Sequence, residues 1–299
     1  MAILYGKIRI NGDPGQTITI TTGKGQTKTV QTTGTNYTDV ILAGMEEYTI
    51  TNGVNTATVL LNINDFATVD IPAVPVIYNT VKNATGNVTE AQWLEFINAG
   101  CISLARSAND TASFIGKNVT LSNSVVSNYT SWKIADFNHD SSGNTVDLIQ
   151  NNTIYSTAFG SNQTYSSSTA RSWLTGTYLP GFSTNVKNKL QTMTVVTGSG
   201  NVSDKIKLLS CDEMGITSAH KYYSYSEREG SRYPIFNAGG TGDYQTNSSR
   251  IRTGTYTYWW LRSRYTSNTS SVWLVASTGG LGDNNYTSSY GLVPALRFA

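Results

Sequence analysis

The chain has 299 residues, room for about two domains with cores of their own at the usual ~150 residues per domain. Charged residues are only 13% and the net charge is +2, so the balance points to neither a nucleic-acid partner nor a membrane surface. No apolar run approaches the ~18 residues of a spanning helix, and Met1 to Arg9 lacks the basic-then-apolar pattern of a signal peptide, so neither membrane insertion nor a leader is expected. Polarity comes instead from uncharged groups, with Thr 42, Ser 32 and Asn 27. With 38% hydrophobic and 11% aromatic residues the chain is expected to fold.

Residues 1–71 read as β throughout. Ile8 and Ile10, Ile18 and Ile20, then Thr27, Thr29 and Gln31 alternate with period two. Tyr37 to Leu42, Tyr48 to Ile50, Thr58 to Ile63 and Phe66 to Ile71 continue the pattern. Turn signals separate them at Asn11-Gly-Asp-Pro-Gly15, Gly23-Lys-Gly25 and Asn52-Gly53. About seven short strands at this spacing predict a small β-sandwich. The pattern resembles the immunoglobulin-like or carboxypeptidase-regulatory-like modules of tail and surface proteins. Pro72-Ala-Val-Pro75 then favours a stiff, extended connector. A linker is expected over 72–89 and a second domain over 90–299.

The second domain carries the helix signals. Thr89-Glu-Ala-Gln92 fits a capping box, with Trp93, Phe96 and Ile97 on one face and Gly100 at the exit. Further helices are expected over Ser168 to Leu174 and Ser183 to Leu190, with Val186 and Leu190 inward. From Ile206 onward strands and long Gly/Ser/Tyr loops dominate, giving an α+β domain.

Catalytic and metal signatures are sparse. Cys101 and Cys211 are 110 positions apart and no CxxC or Cys/His cluster occurs, so no zinc site is expected. They could pair if the fold brought them together, but two buried thiols are the commoner outcome. His139 and His220 are the only histidines. Asp136-Phe-Asn-His139-Asp140 could bind a cation or supply an acid–base pair, though such clusters more often serve turn chemistry. Asp212-Glu213 is expected to start or cap a turn after Ile206 to Leu209. The Asn-x-Ser/Thr triplets at Asn36, Asn118, Asn162 and Asn285 are expected by chance in such a composition.

The last 44 residues carry the most information. Tyr256-Thr-Tyr-Trp-Trp-Leu-Arg-Ser263 holds apolar positions around an arginine that reads as buried. Rigid apolar blocks, Val272-Trp-Leu-Val275 and Gly291-Leu-Val-Pro-Ala-Leu-Arg-Phe298, alternate with blocks of Tyr, Ser, Asn and Arg. That is the composition of an antibody-like paratope, in which Tyr supplies contact area and Ser and Asn supply adaptable hydrogen bonds.

These blocks resemble the C-terminal part of C-type-lectin-fold variable proteins, the targets of diversity-generating retroelements in phages and bacteria. Trp132-Lys-Ile-Ala-Asp-Phe-Asn-His139, Tyr165 with Ser172-Trp-Leu174, and Lys207-Leu-Leu-Ser210 with Glu213 resemble the same lectin-like domain, over roughly residues 90–299. The resemblance implies a C-type-lectin-like scaffold behind an all-β module, in a non-enzymatic tail adhesin of a phage or prophage, or on a bacterial surface. It implies a host-surface protein or glycan as ligand, with a homo-oligomer, such as a trimer, giving avidity. Diversification rewrites adenines, turning Asn codons into Tyr, Ser, Asp or His. Arg264, Tyr265, Ser267, Asn268, Ser270, Ser271, Asn284, Asn285, Tyr286, Ser288 and Ser289 fall where such positions would lie, with Leu274 and Ala276 as further candidates. Trp259, Trp260, Leu261, Trp273, Pro294 and Leu296 take the scaffold's role.

Two departures matter. The calcium-and-sugar loops of animal C-type lectins are absent, so no metal or other cofactor is expected. The formylglycine-generating branch of the same fold needs a close cysteine pair near the end of the chain, which Cys101 and Cys211 do not resemble. An enzyme of that branch and a structural tail-fibre subunit are the alternatives. A perturbed titratable pair in a deep pocket would mark the first.

Overall fold

The structure is a computed structural model that describes residues 5–11, 16–32, 37–43, 46–62, 66–71, 74–215, 229–236 and 247–299. The expected turn at 12–15, Pro72, Asn36 and His220 lie outside the described residues. The chain divides into two compact units, Met1–Thr80 with Ser103–Asp110, and Val81–Ile102 with Thr111–Ala299.

The first unit opens with seven strands: β1 (Tyr5–Asn11), β2 (Thr17–Thr22), β3 (Thr27–Gln31), β4 (Tyr37–Ala43), β5 (Glu46–Thr51), β6 (Thr56–Leu61) and β7 (Phe66–Asp70). They form two sheets, ordered β4-β1-β7 and β3-β2-β5-β6. One cluster joins Ile8, Ile10, Val40 and Val69 of the first sheet to Ile18, Ile20, Tyr48 and Ile50 of the second. The period-two alternation therefore does what it predicts, turning one side of each sheet into a shared core.

The span expected to be extended linker holds a helix instead, α1 (Val76–Lys82). Pro75 ends the extended stretch and its carbonyl accepts from Tyr78 N, so the helix begins as soon as the proline restriction is passed. Tyr78 is buried and its hydroxyl donates to Asp110 (2.8 Å).

In the second unit α2 (Glu90–Asn98) has the predicted capping box at Thr89 and Gln92, and Gly100 takes a left-handed φ of 69° beyond its end. Its buried Trp93 and Phe96 stack at 5.5 Å and meet Phe298 and Phe114. Helix α3 (Cys101–Ser107) follows in the chain, its residues from Ser103 onward belonging to the first unit. The strands then come as β8 (Asn118–Thr120), β9 (Ser131–Phe137), β10 (Val146–Gln150) and β11 (Ser156–Ala158). Helices α4 (Thr169–Trp173) and α5 (Thr184–Lys189) start at the expected serines, Ser168 and Ser183, whose side chains accept from the first-turn backbone. The remaining principal strands are β12 (Ile206–Leu208), β13 (Trp259–Arg264), β14 (Ser271–Val275), β15 (Leu281–Asn285), β16 (Ser289–Gly291) and β17 (Pro294–Phe298).

Two five-stranded sheets result, one ordered β12-β17-β10-β9-β8 and the other β11-β16-β13-β14-β15. Ala135, Ile149 and Ala295 of the first join Trp259, Leu261, Trp273, Val275 and Leu281 of the second in one buried cluster. Strand alternation sends Trp259 and Leu261 into that core and Trp260 to the opposite face. There Phe159 and Tyr290 cover the Trp260 ring, and its Nε1 donates to Thr157 O (3.0 Å).

Candidate ligand-binding face

The Tyr/Ser/Asn blocks of the sequence become two turns at one end of the C-terminal sheet. Residues 265–270 link β13 to β14, and residues 286–288 link β15 to β16. Tyr286 N donates to Ser270 O (3.1 Å), which ties the turns together, and Gly160 N donates to Tyr286 O (3.2 Å), which brings in the loop after β11. Gln163 on that loop donates its side-chain nitrogen to the carbonyls of Tyr265 (2.9 Å), Asn268 (2.6 Å) and Ser271. One side chain thus fixes the path of the whole first turn.

The predicted positions separate into distinct groups. Ser267, Asn268, Asn285 and Ser289 are exposed, and Arg264, Ser270, Asn284, Tyr286 and Ser288 are half-buried around them. Tyr265, Ser271 and Leu274 are 8%, 4% and 3% exposed, which corrects the expectation that they lie on the face. Tyr265 packs edge-on against Trp273 (5.1 Å between centroids) within the inter-sheet core. Leu274 stands opposite Trp260 and Gly282 in mid-sheet. Ala276 lies at the other end of β14 from the turns, five residues or about 17 Å of strand from Ser271.

Several of the asparagines bond to their own backbone. Asn268 Oδ1 accepts from Ser270 N (2.9 Å), and Asn285 Oδ1 accepts from Thr287 N (3.0 Å). These Asx turns set the loop shapes, so the same residue type serves turn and surface at once. Asn284 Oδ1 likewise accepts from the neighbouring Asn285 N (2.7 Å) and from Ser288 (3.3 Å), and its amide nitrogen also donates to the Tyr290 hydroxyl (2.6 Å).

The same domain holds a network of buried charge. Glu213 is fully buried; Oε1 accepts from Lys207 (2.6 Å) and Arg262 (3.0 Å), and Oε2 from Arg262 (2.6 Å) and Ser210 N (3.0 Å). Burial works to raise the Glu213 pKa, but Arg262 and Lys207 outweigh it and hold the carboxyl well below its ordinary value. Ser210 Oγ in turn accepts from Glu213 N (3.1 Å), so Ser210-Cys-Asp-Glu213 is a capping-box turn, as its acidic pair suggested. Asp147 and Arg297 face each other in register across β10 and β17 and pair through two bonds (2.6 and 2.8 Å). Tyr233 donates to Asp147 (2.7 Å) and stacks on His139 at 3.7 Å.

The Asp136–Asp140 segment therefore does more than turn the chain. Asp136 Oδ1 accepts from Phe137 N (2.8 Å), while Oδ2 meets His139 Nδ1 (2.8 Å). His139, Asp140 and Glu213 bring their ligand atoms within 4.8 Å of one another, the spacing of a metal group. The donor set argues against one. Both Glu213 oxygens are already taken by Lys207, Arg262 and Ser210, and Arg297 lies 4.0 Å from Asp140, so a cation would have to displace buried positive charge. Sequence reading missed this network, although Ser210-x-x-Glu213 and the buried Arg262 were its signals.

Residues 142–298 match the family described as a domain of unknown function, DUF6273. The chain belongs to this family. The matched span covers more than half the chain and contains Asp147, Lys207, Glu213, Arg262 and Arg297. The family unit thus encloses both the ion-pair framework and the two turns, while Asp136 and His139 lie just before it. Among curated proteins none matches the chain.

Proposed function

We propose that this DUF6273 chain is a non-enzymatic receptor-binding protein, a tail adhesin of a phage or prophage or a protein of a bacterial surface. In this reading the C-terminal domain is a C-type-lectin-like head, the N-terminal sandwich is an immunoglobulin-like attachment module, and retroelement diversification acts on the two turns. The target is a host-surface protein or glycan, met by a homo-oligomer such as a trimer.

The observation that carries the reading is the contrast between turns and support. Ser267, Asn268, Asn285 and Ser289 are exposed on turns that Gln163 and the Tyr286–Ser270 bond hold fixed, above a sheet filled by Trp259, Trp260 and Trp273. Tip side chains can change there without disturbing the core. An enzyme of the formylglycine-generating type finds less support. Cys101 and Cys211 are both buried, and burial pushes the Cys101 thiol up to about 11, far from a reactive thiolate.

Deep sequencing of the gene's 3′ end in a growing population tests the reading. Expected are substitutions concentrated in codons for the exposed and half-buried positions between 264 and 289, with the codons for Trp259, Trp260 and Trp273 constant. Variation spread evenly along the gene, or none, would count against it.

A further inference from the structure

A second surface adjoins the turns on the same face of the C-terminal sheet. Thr157 stands opposite Tyr290 in the β11–β16 pairing, and Tyr258 O accepts from Gly291 N. Alternation then places Tyr155, Thr157 and Phe159 with Tyr258, Trp260 and Tyr290 on one side. The ring contacts agree: Tyr290 lies 5.9 Å from Tyr258 and 4.9 Å from Trp260, and Phe159 lies 5.9 Å from Trp260.

The outer rings are open to solvent yet held in place. Tyr155 is 40% and Tyr258 41% exposed. Tyr155 stacks on the half-buried Trp173 of α4 at 4.2 Å and 5°, and Trp173 stacks on the buried Tyr178 at 5.5 Å and 13°. Tyr290 is fixed by its bond from Asn284. Exposed aromatic groups that are locked by core rings cost solubility and lose little entropy on binding.

We propose that Tyr155, backed by Trp173, together with Tyr258 and Tyr290 forms a platform that binds a neutral glycan chain. The inference deepens the receptor-binding reading and rests on it. A pyranose ring presents an apolar C–H face edged by hydroxyls, and the platform matches both parts. Aromatic faces receive the C–H groups, while Asn284, Ser288, Thr157 and the tyrosine hydroxyls offer donors and acceptors around them. None of these side chains is charged, which suits a neutral polyol. A sulfated or sialylated glycan would find no counter-charge among these side chains. Two strand spacings, about 10 Å, separate the strands bearing Tyr155 and Tyr258, so the platform accommodates more than one sugar ring.

The test uses the full chain on a printed array of neutral oligosaccharides built from glucose, galactose, mannose, rhamnose and their N-acetylamino forms, with sulfated and sialylated counterparts beside them. Expected is binding to at least one neutral glycan that is insensitive to chelator and to added salt. It should fall at least tenfold in Tyr155→Ala with Tyr258→Ala at unchanged Tm, and be largely rescued by the corresponding Phe substitutions, which keep the rings. Binding only to charged glycans, no binding at all, or binding unaffected by loss of both rings would overturn the platform. Labelling of bacterial cells that persists without the rings but fails when Ser267 and Ser289 are replaced would overturn the platform while leaving the receptor-binding reading intact. It would point instead to a protein target held by the turns.

Discussion

Glu229 is a buried carboxyl whose side chain accepts from Gly198 N (2.9 Å) and from the Ser263 hydroxyl, while its backbone carbonyl accepts from Arg262. Burial, opposed by Arg262, pushes its pKa up from 4.5 to about 7. The folded state therefore keeps a proton that the unfolded chain releases near 4.5. Stability from this group is complete below about 4.5 and is lost as pH rises through about 7, on the order of 3 kcal/mol in all. Thermal midpoints of the wild type should fall between pH 5 and pH 8, and Glu229→Gln should flatten that decline; an equal slope in both would refute the assignment. Glu213 acts in the opposite sense, its lowered pKa costing stability only below about 4.5. Because its charge is buried against Arg262 and Lys207, Glu213→Ala should cost about 3–5 kcal/mol by leaving those cations unpaired. Adding Arg262→Ala should cost less than the sum of the single changes, measurable by urea denaturation as a double-mutant cycle. Chelator should leave the midpoint unchanged, since Lys207 already fills the cation's place beside Glu213.

At the scale of single elements, the two turns show how far pattern alone reaches. Helix α2, the serine N-caps of α4 and α5, and all seven N-terminal strands were legible because capping and alternation are local signals. Tyr265 was not. It stands in a polar run, but its ring turns under the loop onto Trp273, a decision made by the opposing sheet. Tyr265→Ala is therefore expected to cost about 3 kcal/mol, as core aromatic truncations do, whereas Ser267→Ala should stay within about 0.5 kcal/mol. Equal effects in a urea titration would contradict the placement. Gln163 was equally hidden, because nothing local marks a side chain that bridges 102 positions to Tyr265. Gln163→Ala should leave the sheets intact and speed amide hydrogen exchange at Tyr265 and Ser271, whose N–H bonds close the turn.

For the molecule as a whole, composition and texture located an all-β segment followed by an α+β domain, and both are present. Two features depended on partners distant in sequence. Helix α1 replaced the expected connector because Tyr78 finds burial and a bond to Asp110, 32 residues away. The ion-pair framework joins Asp147 to Arg297 across 150 positions, and no short motif encodes that. Tryptophans fill the second sheet of the C-terminal domain and a buried ion pair ties strands of the first, while Ser267, Asn268, Asn285 and Ser289 stand exposed on the two turns. In the receptor-binding reading proposed above, these turns recognise a target while the scaffold stays indifferent to their side chains. Flow cytometry of the fluorescently labelled full chain against a panel of bacterial cells, comparing the wild type with a Ser267→Arg, Ser289→Arg variant, is the decisive experiment. The wild type is expected to label a subset of cells, and the variant to lose at least tenfold of that signal while its Tm stays within a few degrees. Undiminished labelling by the folded variant, or no cell labelled by the wild type, would contradict it.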